Sequence, residues 1–414
     1  MGDPERDRVM SVAMDVGHSV DPRLAVEVLT DLVAIPSEDP PGLEHEAALH
    51  VAAVGRSVGL AVDVVEVSGG RPNVFLRTGS GPPRVLLNTH TDVVPAGEGW
   101  TREPYHPAVT EGRLYGRGAA DAKGSLAAMV AAMAALARVS GSVKGEVFLA
   151  AVMGEEEGQL GTRALAASGL AAHWAVVGEP TDLRLVTAHK GTMVFSIETH
   201  GKASHGSVPH LGVNAIQLMS SFVNRLTSYQ NDLAGRKAHP LLGMPTVNLG
   251  TVAGGRCSYM VPDRCVATVD RRILPGEDPH VVEEEFRQLV ETCRRADSRF
   301  EGRVLVTELC PAMETSRSSD VVEALASACR LHQIDPVLVG WPATCDANIL
   351  VNDLRIPTVV FGPGKLETAH QPDEHVRLDH VVQAARIYAS LAVLLLSSDQ
   401  GSGGGRRHAE TTSG

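Results

Sequence analysis

Between a polar beginning and a polar end, the chain alternates short apolar runs with longer stretches of helical spacing. Arg84-Val-Leu-Leu-Asn-Thr-His90, Glu146-Val-Phe-Leu-Ala-Ala-Val152, Trp174-Ala-Val-Val177 and Pro357-Thr-Val-Val-Phe361 have the length and composition of buried strands. Lys123 to Val139 is rich in Ala, Leu and Met, and Asp379 to Leu396 repeats apolar residues at helical spacing, so both are predicted helices packed on the sheet. Strand–helix alternation of this kind predicts an α/β domain whose central sheet is flanked by helices.

The middle of the chain follows another rhythm. Met193 to Thr199, Thr246 to Val252, Cys265 to Ile273 and Arg303 to Glu308 read as half-buried strands, with helical stretches at Asn214 to Thr227 and Pro279 to Ala296. Strand, helix, strand, strand, helix, strand is the split βαβ order of a small ferredoxin-like α+β domain. The expected organisation is a discontinuous catalytic domain, 21–189 with 311–398, interrupted by an inserted domain, 190–310. Residues 1–20 read as a flexible arm, and 399–414, made of Gly, Ser, Thr and charge, as a flexible tail.

Composition narrows the function. Aromatic residues are 4% of the 414, against 43% hydrophobic overall, so the core is aliphatic and aromatic platforms for sugars or single-stranded nucleic acid are not expected. A formal net charge of −12 disfavours nucleic acid as a partner. The six cysteines, at 257, 265, 293, 310, 329 and 345, form no CxxC pair. Charged residues crowd the N-terminus without an apolar signal core, and no apolar run is read as a membrane span, so a cytoplasmic protein without membrane contact is expected.

Candidate chemistry gathers where predicted strands end. His90, Glu155, Glu156, Glu179 and His370 each follow an apolar strand, and Asp121 lies in Gly116-Arg-Gly-Ala-Ala-Asp-Ala-Lys-Gly124. In open α/β sheets ligands bind at the carboxyl ends of strands, so residues distant in sequence can converge there. Zinc takes imidazole nitrogen and carboxylate oxygen, and two close ions need a shared carboxylate. Two His, two Glu and one bridging Asp give each ion one imidazole, one terminal carboxylate and half of the bridge. Asp92 stands where it can orient His90, or else is a turn residue. In Glu155-Glu156-Glu157, adjacent carboxylates offer a metal ligand and a general base, but the register among the three is open and an acidic surface loop is the alternative.

Five stretches together resemble the family of zinc-dependent aminoacylases, acetylornithine deacetylases, succinyl-diaminopimelate desuccinylases and glutamate carboxypeptidases. They are Asn88-Thr-His-Thr-Asp-Val-Val-Pro95, Leu114 to Gly124, Gly154-Glu-Glu-Glu-Gly158 with Gly161, Gly178-Glu-Pro-Thr181 and Ala369-His-Gln-Pro-Asp373. The resemblance spans roughly residues 25 to 396 in order and spacing. It implies a zinc-peptidase-like catalytic domain and an inserted dimerisation or lid domain. It also implies two zinc ions per subunit, with cobalt and manganese suited to the same donors. His90, Asp121 and Glu179 would hold one ion, and Asp121, Glu156 and His370 the other. Glu155 would be the base and Asp92 the residue orienting His90.

In the inserted domain, Gly201-Lys-Ala-Ser-His-Gly206 resembles the family segment whose histidine, here His205, serves the site of a partner subunit in a homodimer. Arg272 matches an arginine that binds a substrate carboxylate, while Arg271 reads as a surface ion-pair partner. Thr344 and Asp346 fall where similar proteins place substrate-facing groups, and Cys345 between them reads as a packed residue rather than a nucleophile. Tyr259 departs from the pattern, which commonly carries Asn there, so substrate recognition at that point differs. The reading favoured is hydrolysis of the amide bond of an N-acyl amino acid. A metallocarboxypeptidase or dipeptidase acting on short peptides is the alternative within the family, and a non-catalytic binding protein on the same fold is the alternative outside it.

Overall fold

In the computed structural model, which describes residues 4–139 and 144–398, the apolar run Arg84–His90 is a strand buried beyond its first residue. It runs parallel to Gly145–Val152 on one side and to Trp174–Val177 on the other. Trp174–Val177 is in turn parallel to Thr358–Val360. The registers His90 with Val152, Asn88 with Val177, and Val360 with Val177 bring the carboxyl ends of these four strands to one edge of the sheet. Their near-continuous burial is what a parallel sheet covered on both faces requires. Antiparallel strands Ala61–Ser68 and Arg71–Ser80 extend the sheet beyond Gly145–Val152. This hairpin and the helices Pro22–Ala34 and His45–Ser57 were not among the expected elements.

Helix Gly124–Ala137 is buried at every position through Leu136, and its small alanines let it lie close to the strands. The closing helix Leu378–Ser398 packs beside it. Here the expectation of no membrane-length run needs correction. Ala119–Ala137 and Leu378–Ser397 are both long and apolar enough by length and composition, but 100% and 67% of their apolar windows are buried inside the fold. A helix apolar all round is the core helix of a large sheet protein. A second correction concerns residues 1–20. Pro4–His18 is a helix that packs on Leu378–Ser398 through buried Ala13, Val16 and Gly17, so its short apolar face anchors what reads as a loose polar arm. Residues 399–414 lie outside the described residues.

The chain divides into two compact units. The sheet just described belongs to the first, made of Met1–Thr187, Thr315–Val339 and Cys345–Gly414. The second comprises Ala188–Glu314 and also takes in Gly340–Thr344, a return segment not foreseen, in which the Trp341 carbonyl accepts the Lys190 N–H at 3.2 Å. Its sheet order is Thr246–Gly254, Arg264–Ile273, Gly191–His200, Glu301–Cys310, antiparallel throughout. Helices Ala215–Ala234 and Pro279–Ala296 cover one face, started by the caps Asn214 and Asp278. Alternate residues Met193, Phe195 and Ile197 point into that core, where Phe195 stacks on Phe286 with ring centroids 3.9 Å apart. This is the ferredoxin-like arrangement.

Candidate metal centre

Because Val152, Val177 and His90 end their strands together, the residues that follow meet at one edge of the first unit. His90 is buried, and its Nε2 lies 3.3 Å from Asp121 Oδ1. The other oxygen of the same carboxylate, Oδ2, lies 3.4 Å from His370 Nε2. His370 Nε2 is also 3.2 Å from Glu156 Oε1. His90, Asp121 and Glu156 each offer a ligand atom within 4.8 Å of the others, close enough for metal binding. Glu157 is exposed, so the fold selects Glu156 from the acidic triplet as the partner of His370.

Glu179 is buried after Trp174–Val177, and Glu155 is half-buried. Among the described residues neither carboxyl has a hydrogen bond or ion pair. Burial pushes both well above the usual carboxylate range, and for Glu179 the negative charge of Asp121 adds to it. Burial opposes charge on His90, yet its hydrogen bonds to Asp121 and Asp92 win and raise its pKa. Hydrogen bonds to Asp121 and Glu156 raise His370 to about 10. Burial likewise opposes charge on Asp121, but the two imidazoles lower it. Carboxylates gathered out of water without matching cations are costly, and divalent ions on these oxygen and nitrogen donors relieve that cost. The donor set suits zinc-like ions.

Asp92 is fully buried and does two things. Its backbone carbonyl lies 3.0 Å from His90 Nδ1, closer than its carboxylate Oδ1 at 3.5 Å, while Oδ2 accepts the Glu156 N–H at 2.8 Å. The residue therefore reaches both a histidine and the acidic loop.

Sequence reasoning passed over the residues behind these. Glu374 is buried; its Oε1 accepts the N–H groups of Ala120 and Asp121 at 2.9 and 3.0 Å, and its Oε2 accepts Arg117 Nη1 at 2.6 Å. The Arg117 Nη2 donates to the Ala96 carbonyl at 3.0 Å. This one ion pair thus ties together the segments after His90, around Asp121 and after His370. Glu374 stands one residue beyond the motif Ala369–Asp373, which was the available signal. His370 itself has φ +58°, a left-handed backbone that costs a non-glycine residue about 1 kcal/mol and is tolerated where surrounding contacts enforce it. Asp346 is buried, receives the Thr162 hydroxyl at 2.6 Å, and is pushed up to about 6 by burial. Burial, with the Glu179 charge nearby, pushes the Cys345 thiol well up, which suits a packed residue.

The other predicted site residues belong to the second unit. The ring of His205 is exposed, and its Nδ1 accepts the Ser207 N–H at 3.1 Å. A backbone N–H can only donate, so the neutral ring carries its proton on Nε2. Tyr259 is 68% exposed, and its carbonyl accepts the Gly206 N–H at 2.7 Å, beside His205. Thr344 is half-buried. Arg272 donates to Thr192 Oγ1 at 2.7 Å and to Asp270 Oδ2 at 3.1 Å. Arg271, expected at the surface, is instead wholly buried, because strand alternation turns it onto the helices, where Glu277 pairs with it at 2.6 Å.

The model of peptidase family M20/M25/M40 matches residues 86–393. An acetylornithine deacetylase of Aliivibrio fischeri is 31% identical over 341 residues, covering 81% of this chain and 87% of that protein. A probable succinyl-diaminopimelate desuccinylase of Staphylococcus epidermidis is 29% identical over 397 residues, covering 88% and 95%. Among solved structures, an M20 family metallo-carboxypeptidase from Sulfolobus solfataricus is similar with a TM-score of 0.75 at 20% identity, over 90% of this chain and 99% of that one.

Proposed function

This chain belongs to peptidase family M20/M25/M40 and is a metal-dependent amide hydrolase, and from that premise we propose that it removes the acyl group from the nitrogen of an N-acyl amino acid. The observation that carries the reading is the Asp121 carboxylate, with one oxygen facing His90 Nε2 and the other facing His370 Nε2. This placement supports reading Asp121 as a carboxylate that two ions would share. His90, Asp121 and Glu179 would hold one cation, and Asp121, Glu156 and His370 the other, with zinc as the metal expected. When bound, such a pair polarises the amide carbonyl and makes water nucleophilic at neutral pH.

The protein's own groups do the rest. Glu155, whose carboxyl has no hydrogen bond among the described residues, takes a proton from the attacking water and passes it to the leaving nitrogen. Asp92 keeps the His90 ring and the Glu156 backbone in place. In a homodimer, the Nε2–H of His205 from one copy meets the oxyanion formed in the site of the other. Arg272 pairs with the substrate carboxylate, and Tyr259 and Thr344 shape the pocket around it. The acyl-amino-acid preference is supported by the deacetylase and desuccinylase relatives, whose similarity covers most of the chain.

The test is a substrate panel on protein of known metal content: N-acetyl amino acids, N-succinyl amino acids and dipeptides. Preference for the acylated amino acids is expected. Turnover of dipeptides alone would transfer the assignment to a peptidase.

A further inference from the structure

Behind the acidic loop lies a second cluster of carboxylates that the reaction does not use directly. Asp39, Glu44 and Asp92 are buried, and each offers an oxygen within 4.8 Å of the others. The positive charge in that cluster comes from the chain itself. The Arg71 guanidinium pairs through Nη2 with Asp39 Oδ2 and Glu44 Oε1, and through Nε with Glu44 Oε2 at 2.8 Å. Its side chain is 15% exposed.

Two glycines make room for it. A Cβ added at Gly42 would lie 2.7 Å from Arg71 Cζ, and one at Gly154 would lie 3.1 Å from Arg71 Nη2. Gly154 has φ +63° and donates its N–H to Glu44 Oε1 at 3.2 Å. The next residue is Glu155. Two positions along from Arg71, on the same face of the strand, Asn73 accepts the Met153 N–H at 3.1 Å and donates to the Gly161 carbonyl at 2.9 Å. Strand Arg71–Ser80 thus grips the loop 153–161 at two backbone groups through Asn73, and at a third, the Gly154 N–H, through the Glu44 carboxylate that Arg71 holds.

We infer that Arg71 is a positioning residue for the general base: through Glu44 it fixes the Gly154 turn and so the direction of Glu155. This rests on the assignment of Glu155 as base, but its physical content is the order of the loop, which is measurable without substrate. Arg71 supplies the cation for Asp39 and Glu44, while Asp92 is engaged by His90 and the Glu156 N–H, so the cluster is accounted for by the chain's own groups.

The experiment uses the full chain, metal-loaded, with Arg71→Met, the conservative Arg71→Lys, and the double variant Arg71→Met with Glu44→Gln, which neutralises one of the two carboxylates that lose their cation and leaves Asp39 alone. For Arg71→Met, kcat is expected to fall about 100-fold, with KM within about threefold of wild type and metal content unchanged. Arg71→Lys should recover part of that loss. The double variant should fold with wild-type metal content and remain slow. Amide exchange at 154–156 should accelerate about tenfold or more in Arg71→Met, with the strand Arg84–His90 unaffected. Wild-type exchange and wild-type kcat in a folded Arg71→Met or double variant would overturn the inference. So would loss of metal in step with loss of kcat, since Arg71 would then act on the metal residues instead. If the wild-type protein hydrolyses no amide in the panel, the reaction assignment fails, and the exchange measurement still decides whether Arg71 orders the loop.

Discussion

The Glu374 carboxylate accepts the backbone N–H of Asp121 at 3.0 Å, across a sequence separation of 253 residues. Its other oxygen is paired with Arg117, so Asp121 is held from behind by a buried ion pair. Groups that orient metal ligands from behind typically change affinity by about 10–100-fold when removed. Glu374→Ala is expected to weaken metal binding by that factor. Competition with a chelator measures it, and a circular dichroism melt checks that the variant remains folded. Unchanged affinity would show that Asp121 needs no such support.

Asp121 pairs with His90 at 3.3 Å and with His370 at 3.4 Å, and among the described residues no other carboxylate is paired with both histidines. Asp121→Ala is expected to lose both ions together rather than one. Elemental analysis after dialysis reads this directly. A variant that keeps one ion at wild-type affinity would place the shared ligand elsewhere.

Glu155 has a different expected signature. Glu155→Ala should lower turnover by about 10²–10⁴-fold while metal content stays near that of the wild type. A fully active variant would move the base to another residue.

His205 offers an Nε2–H donor because Ser207 occupies its Nδ1. Removing one oxyanion donor costs about 10²–10³ in kcat, so His205→Ala should fall in that range. If His205 serves the other copy of a homodimer, mixing inactive Glu155→Ala with His205→Ala protein should restore activity through mixed dimers. No restoration after confirmed subunit exchange would confine the residue to its own chain.

His332 provides a pH dependence away from the site. Burial, helped by His18 and Arg386, lowers its pKa from 6.5 to about 4, and its Nε2 lies 2.8 Å from the Ser390 hydroxyl. Between those values the unfolded chain binds a proton that the folded chain refuses, so stability falls as pH drops from about 6.5 towards 4. The loss is at most about 1.4 kcal/mol per pH unit in that window. Urea unfolding at several pH values should show a shallower decline for His332→Gln than for wild type. Parallel slopes would mean that His332 titrates normally.

The strands that carry the site were readable because a buried parallel strand leaves a contiguous apolar run, as at Arg84–His90 and Trp174–Val177. The split βαβ unit was readable because alternation and helical spacing differ in period. The helix Pro4–His18 was missed because only a few of its residues are buried, too few to set a visible stripe in a polar sequence. Arg271 was misplaced because its neighbour Arg272 has the same chemistry, and only strand direction separates a buried arginine from a half-exposed one.

Residue types and local spacing established two periodic domains and a set of histidines and carboxylates at strand ends, since those properties are written within a few neighbouring positions. Which oxygen of Asp121 faces which imidazole, and that Glu374 and Arg117 stand behind Asp121 while Arg71 and Asn73 stand behind the loop of Glu155, was decided by the fold. Such hydrogen bonds join groups up to some 250 residues apart, and a polar side chain's partner is set by where the packed sheet delivers it, not by its neighbours in the chain.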